Sequence, residues 1–60
     1  MKWAHIERLL DLHHILVVVY VVDGYVAQLE DDNFSIVRES GPQPTIQAAM
    51  DELDVKLSLF

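Results

Sequence analysis

Eight consecutive apolar residues run from Ile15 to Val22 and stop at Asp23 and Gly24. Successive side chains of a β-strand point to opposite faces of its sheet, so a strand that is apolar at every position presents apolar side chains on both faces. Two layers must then cover the sheet, whereas 60 residues can hardly supply both. The run therefore predicts a small domain that self-associates or binds a partner.

The chain contains no cysteine, so it has neither a disulfide nor a thiolate metal site to stabilise it. A domain of this size has little core of its own, and burial in an oligomer or against a partner is the remaining source of stability. We therefore expect a homodimer, with a further protein partner as an alternative or an addition, and no cofactor.

Ten acidic residues stand against four basic ones, which gives a net charge of −6. Such a charge repels phosphate backbones and anionic lipid headgroups. The apolar run has eight residues, far fewer than the ~20 that cross a bilayer. The residues before it lack the apolar core and cleavage site of a signal peptide. We expect a cytoplasmic protein that makes no direct contact with nucleic acid or membranes.

Asp23-Gly24 lies between two runs of strand-forming residues and predicts a tight hairpin. A type I′ turn with Asp23 and Gly24 at its centre would place Val22 opposite Tyr25, and Val18 opposite Leu29. Facing residues of a hairpin share a side of the sheet. One face would then form the core, with Leu16, Val18, Tyr20, Val22, Tyr25, Ala27 and Leu29. The second face would be an interface made by Val17, Val19, Val21, Val26 and Val37, beside Ile15.

Three further elements complete the predicted fold. Trp3, Ile6, Leu9 and Leu10 recur at helical spacing and predict a short helix over residues 2–12. Phe34–Glu39 reads as a third strand, with Phe34 and Ile36 on the core face if the preceding loop has an even number of residues. After the Gly-Pro loop, Thr45 predicts the N-cap of a second helix that covers the core face with Ile46, Ala49, Met50 and Leu53.

The last segment, residues 54–60, alternates between polar and apolar residues, which favours a strand, although Leu53, Leu57 and Phe60 would also extend the helix. A right-handed crossover would place this fourth strand parallel to the first, in the spatial order 3-2-1-4. The predicted fold class is α+β: a short N-terminal helix, a three-stranded antiparallel meander, a helix on one sheet face and a C-terminal strand. Residues 1–60 form one domain. Whether the first helix covers the second face stays open.

This order of elements resembles the small β-β-β-α-β domain, a partial RNase H-like fold, of HicB-like antitoxins. The resemblance rests on the apolar run into Asp23-Gly24-Tyr25-Val26 and on Thr45-Ile46-Gln47-Ala48-Ala49, which is similar to the Thr-x-x-Glu-Ala of that family's helix without its Glu. The family's Pro-Asp-Leu-Pro-Gly stretch after the second strand is absent, and the N-terminal extension is an addition. We expect no DNA-binding domain after this one, so the resemblance implies only binding to a protein partner or self-association.

Few residues of this chain could perform chemistry. His5, His13 and His14 lack the spacing of a zinc site, so we expect no metal site. None of the hydroxyl residues lies in a nucleophile elbow, and no glycine loop could hold a phosphate, so we expect no enzymatic activity. The acidic residues could bind a basic partner, although most acidic surfaces are merely solvated. These candidates are Glu30, Asp31, Asp32, Asp51 and Asp54.

Three functions fit these patterns. The preferred one is a non-catalytic, acidic protein-interaction module that self-associates through the second sheet face and regulates or inhibits a larger protein, as antitoxins do. The alternative is an acidic inhibitor encoded by a mobile element, which mimics nucleic-acid charge and blocks a basic groove. The third is a metal-binding protein that depends on its histidines.

Overall fold

The computed structural model describes residues 2–59, which form one layer of sheet and one layer of helices. Along the chain the elements are α1 (Ala4–Leu10), β1 (Ile15–Val21), β2 (Gly24–Glu30), β3 (Ile36–Glu39) and α2 (Ile46–Leu57). The three strands form an antiparallel sheet in the order β1-β2-β3. The α+β class and the three-stranded meander are therefore confirmed. Within residues 2–59 no helix is long and apolar enough to cross a membrane.

Both helices lie on the same face of the sheet. Ala27 and Leu29 of β2 are fully buried on that face, and the apolar side chains of both helices join them in one cluster. Leu16 of β1 packs against the edge of this cluster. The first helix therefore adds to the core and does not cover the second face. The buried apolar residues are Ile6, Leu9, Ala27, Leu29, Ala49, Met50, Leu53 and Leu57.

Helix α2 begins where its sequence predicts. The Thr45 side chain accepts a hydrogen bond from the backbone N–H of Ala48 at 3.0 Å, which confirms the predicted N-cap. Ala49, Met50 and Leu53 are buried as expected, but Ile46 in the first turn is half exposed. The helix does not stop at Leu53, because Leu57 continues the same stripe and is fully buried.

The C-terminal strand was a wrong prediction. Residues 54–57 are the last turn of α2, and the predicted strand's final residue, Phe60, lies outside the described residues. The spatial order 3-2-1-4 is accordingly not formed, and β1 lies at the edge of the sheet. Burial of Leu57 in the core outweighs the alternating pattern of this short segment, which is compatible with either structure.

The hairpin between β1 and β2 is present, but its turn lies one residue earlier than expected. Val21 pairs with Gly24, Tyr20 with Tyr25 and Val18 with Ala27, so Val22 and Asp23 form the turn. Asp23 has no positive φ, which excludes the predicted type I′ turn. The pairing is displaced by two residues, and a displacement by two keeps every side chain on its predicted face. Val22 alone leaves the core face and is 96% exposed.

Only the beginning of strand β3 faces the opposite way from the prediction, because a bulge returns Glu39 to the second face, opposite Gln28. The loop before it comprises residues 31–35, an odd number, so Ile36 pairs with Glu30 on the second face. Ile36 is half exposed, and Phe34 lies in the loop with φ 64° and a largely exposed side chain. Neither residue joins the core. A register shift between Leu29 and Glu30 leaves Val37 as the extra residue of a β-bulge.

Candidate interaction surface

The face of the sheet opposite the helices is an apolar surface. Its apolar residues are half-buried, except Ile15 and Ile36, which are more exposed. No helix or strand among residues 2–59 packs on this side. We call this surface the open face and define it by Ile15, Val17, Val19, Val21 and Val26.

Four of the predicted interface residues, Val17, Val19, Val21 and Val26, share the open face. Val19 and Val26 are direct cross-strand partners, which places the valines of the two strands side by side. The fifth, Val37, lies at the bulge of β3 and is half-buried. Towards β3 the face becomes polar, because Gln28 donates a hydrogen bond to Glu39 at 3.2 Å. Apart from Ile36 of β3, the apolar residues of the face therefore lie on the β1 side.

The outer edge of β1 presents backbone groups of three residues. Tyr25 and Ala27 of β2 direct their backbone N–H and C=O groups away from β1, towards Gln43 and Ser40. Because these directions alternate along a strand, the neighbouring residues of β2 bond to Ile15, Val17, Val19 and Val21. The outward-directed residues of β1 are then Leu16, Val18 and Tyr20. In the described part of the chain, no strand pairs with this edge.

A cleft of about 300 Å³ opens beside this edge, where α1 meets the start of β1. Its lining is almost entirely apolar and consists of Trp3, Ile6, Glu7, Leu10, Leu16 and Met50. Leu16 thus belongs both to the cleft and to the free edge of β1. At the other end of that edge, Tyr20 is 75% exposed and contacts Tyr25 with ring centroids 5.1 Å apart.

Two of the acidic residues predicted to bind a partner instead connect the helices. Asp51 Oδ1 accepts a hydrogen bond from Trp3 Nε1 at 2.6 Å and lies 3.6 Å from Lys2 Nζ. Asp54 Oδ1 accepts one from the backbone N–H of Ile6 at 3.0 Å. Both carboxylates project from α2 and hold the beginning of α1 against it.

The other three acidic candidates lie at the turn between β2 and β3. Asp31 Oδ1 accepts hydrogen bonds from the backbone N–H groups of Asn33 and Ser35, at 2.9 and 3.0 Å, which shapes the turn. Glu30 is half-buried at the end of β2, whereas Asp32 is exposed. Of the five acidic candidates, three therefore already accept hydrogen bonds within the chain.

Two of the three histidines, His13 and His14, lie just after the end of helix α1. His14 Nδ1 lies 3.0 Å from the carbonyl oxygen of Leu9 and 3.1 Å from that of Leu12, and carbonyl oxygens only accept, so Nδ1 donates. His13 adopts a left-handed conformation with φ 65°, which turns the chain out of the helix. Among residues 2–59, no group of three or more His, Asp or Glu residues could hold a metal ion.

Glu52 fastens the loop that leads into α2, a role that no sequence motif indicated. Its carboxylate accepts hydrogen bonds from the backbone N–H of Gly41 and from Gln43 Nε2, and lies 3.3 Å from Lys56 Nζ. The Gly41 N–H is the main cause that lowers the pKa of Glu52, and partial burial opposes it. The charged form of Glu52 is therefore the one that the fold stabilises.

Ser40 is the buried polar residue of the described chain, and its sequence context indicated only an ordinary hydroxyl. Its Oγ accepts a hydrogen bond from the Ala27 N–H at 2.9 Å and donates one to the Gly41 carbonyl oxygen at 2.9 Å. The Ser40 backbone N–H also donates to the Ala27 carbonyl oxygen. The side chain thus replaces a backbone partner at the end of β3.

No protein-family model, curated protein or solved structure matches this chain. The resemblance to HicB-like antitoxins therefore stays a prediction that rests on two short motifs in residues 15–26 and 45–49. The described residues provide its β-β-β-α order and lack its last strand.

Proposed function

We propose that this chain is a non-catalytic protein-interaction module that self-associates through the open face of its sheet. The observation that supports the proposal is the position of both helices on one side of a sheet that is apolar on both. Burying a fully exposed valine side chain is worth about 1.5–3 kcal/mol, and the half-buried valines of the open face would gain the remaining part of that free energy. Burial of the open face is thus a substantial source of free energy for a chain with so small a core.

A second copy of the chain is the occupant that fits this face best. The net charge of −6 opposes close approach of two copies, yet the open face carries no charged side chain among its five defining residues. The five defining residues are all β-branched, and two such faces can interdigitate as the inner faces of a β-sandwich do. Glu30 and Glu39 share this side of the sheet but lie towards β3, beside Gln28, whereas the other acidic candidates lie at the β2–β3 turn and on α2.

The alternative of a nucleic-acid mimic is less well supported. Such a mimic needs carboxylates that are available to a basic groove. Asp31, Asp51 and Asp54 instead accept hydrogen bonds from groups of their own chain. We propose that the module regulates or inhibits a larger protein, as antitoxins do. The self-associated form of the chain would be the form that binds this protein.

The experiment that tests the proposal compares two lysine substitutions by sedimentation equilibrium. Val19→Lys places a charge at the centre of the open face and should raise the dissociation constant by about 100-fold or more, since burying a charge at an interface costs several kcal/mol. Gln47→Lys adds the same charge on the exposed side of α2 and should leave the constant within a few-fold. Equal masses for both variants would contradict the proposal.

Because Val19→Lys also disturbs a half-buried strand position, a milder variant accompanies it. Val19→Thr keeps the β-branched shape and the strand preference but places a hydroxyl on the open face. We expect weaker association, by about tenfold, together with a native circular dichroism spectrum. Undiminished association of a folded Val19→Thr protein would count against the open face.

A further inference from the structure

The free edge of β1 and the cleft beside α1 form a second contact site that the open face does not use. Leu16, Val18 and Tyr20 direct their backbone groups outward, and their side chains lie on the helix side of the sheet. The open face uses the alternate residues of the same strand. We propose that two copies pair antiparallel through their β1 edges, with Tyr20 of each copy seated in the cleft of the other.

The backbone of β1 favours one register for this pairing. A twofold axis at Val18 pairs Val18 with its own copy, and Leu16 with Tyr20 in both directions. Each outward-directed residue then meets another outward-directed residue, so all three residues of both strands exchange N–H and C=O hydrogen bonds. If the partner strand were displaced by two residues, either Tyr20 would face residue 14 or Leu16 would face residue 22. Both of these residues lie outside β1. The twofold register is therefore the one that satisfies the whole edge.

Side chains reinforce this register. Antiparallel partners share a face, so the pairing places Tyr20 of one copy beside Leu16 of the other, on the side where the cleft opens. Tyr20 is 75% exposed, and the cleft offers apolar walls from Trp3, Leu10 and Met50. A tyrosine ring buries apolar area while its hydroxyl can remain at the solvent rim. Because the pair is symmetric, each copy places its exposed Tyr20 ring in the apolar cleft of the other.

The edge also lacks the features that usually prevent such pairing. Strands at sheet edges are commonly protected by Lys, Pro, a bulge or an inward-pointing charge. Residues 15–22 contain no charge and no Pro, and the pairing of β1 with β2 is regular throughout. The paired strands themselves would therefore bury no charge, and the charged residue that lines the cleft, Glu7, is exposed.

Cysteine cross-linking tests the register, because the chain has no cysteine of its own. In an antiparallel hydrogen-bonded pair the two Cα atoms are about 5.5 Å apart, within the range of a disulfide. Val18→Cys should therefore form a disulfide-linked dimer under mild oxidation. Ile15→Cys is the control, because its two copies would lie about 20 Å apart, six strand positions from each other.

The outcomes separate this inference from the proposed function. A dimer that forms only through the open face would keep the two Val18 side chains on its outer surfaces, far from each other. Val18→Cys would then associate without cross-linking. That result would overturn the edge pairing and leave the proposed function intact. A folded Val18→Cys protein that cross-links no faster than Ile15→Cys likewise overturns the edge pairing alone. A wild-type protein that stays monomeric overturns both.

Tyr20→Ala provides an independent readout through Trp3, the single tryptophan of the chain, which lines the cleft. We expect wild-type Trp3 emission to shift to shorter wavelength with increasing protein concentration, as the partner's ring excludes water. Tyr20→Ala should abolish this shift and raise the dissociation constant at least about tenfold. Phe34→Ala removes an aromatic side chain of similar exposure from the β2–β3 loop, outside the proposed contact, and should change neither. Identical behaviour of the two variants would overturn the seating of Tyr20.

Discussion

The carboxylate of Asp54 on α2 accepts a hydrogen bond from the backbone N–H of Ile6 in the first turn of α1. The N-cap residue of α1, Trp3, forms no capping hydrogen bond with its side chain. The second helix therefore supplies the cap that the first helix lacks in its own sequence. This contact couples α1 to the core across 48 residues of chain.

Asp54→Ala should detach the beginning of α1. Loss of a helix cap costs about 1 kcal/mol, and the negative charge near the helix N-terminus adds a few tenths. We expect the free energy of unfolding, measured by urea denaturation, to fall by about 1 kcal/mol. Asp32→Ala removes an exposed carboxylate and should leave it unchanged. Equal midpoints for the two variants would exclude a capping role for Asp54.

Ser40→Ala should be more damaging than its conservative appearance suggests. It leaves the buried N–H of Ala27 without its acceptor. An unsatisfied buried donor costs about 1–3 kcal/mol. The matched control is Ser35→Ala, at an exposed loop position. Thermal denaturation should separate the two, and a Ser40→Ala protein as stable as Ser35→Ala would show that the hydrogen bond contributes nothing.

The two glycines should differ in their tolerance of alanine. A Cβ at Gly24 would lie 2.2 Å from the Gln43 carbonyl oxygen, and Gly24 has a φ of +136°. We expect Gly24→Ala to lower the free energy of unfolding by roughly 2 kcal/mol or more. A Cβ at Gly41 meets only the Glu52 side chain, at 3.5 Å or more, so Gly41→Ala should be tolerated. A tolerated Gly24→Ala would contradict the close approach of Gln43.

Glu52→Gln should lose stability in a pH-dependent manner. The Gly41 N–H lowers the pKa of Glu52 in the folded protein, so its charged form contributes stability above the pKa of the unfolded chain, which is about 4.3. That contribution disappears as the pH falls from there through the folded pKa. We expect Glu52→Gln to be less stable than the wild type by about 1 kcal/mol at pH 7.

The difference in the free energy of unfolding between the wild type and Glu52→Gln reports on Glu52 alone, because the other carboxylates titrate equally in both proteins. Urea denaturation at pH 7, 5, 4 and 3 should show the difference shrinking below about pH 4. A difference that is constant over this range would mean that the charge on Glu52 does not matter.

The sequence predicted the structure correctly where a residue pattern is compatible with only one local structure. The apolar run predicted an apolar strand on both faces, and the cap at Thr45 predicted the start of α2. Face assignments in the hairpin are correct although the register is displaced, because a displacement by two preserves the side of each residue. Gly24 is required, but for the approach of Gln43 and not for the expected turn.

Long-range contacts account for what the sequence did not indicate. Residues 54–57 are compatible with strand or helix, and burial of Leu57 in the core cluster decides for the helix. The face of Ile36 depends on the length of one loop. Ser40, Glu52 and Asp54 each have at least one hydrogen-bond partner nine or more residues away, which no local pattern records.

Sedimentation equilibrium of the wild-type protein tests self-association, on which the proposed function depends, most directly. We expect a mass above the 6.9 kDa of one chain at micromolar concentration, and we expect this mass to persist in 1 M NaCl, because apolar burial is not screened by salt. A mass of one chain at all concentrations, with a cooperative unfolding transition, would contradict self-association through the open face.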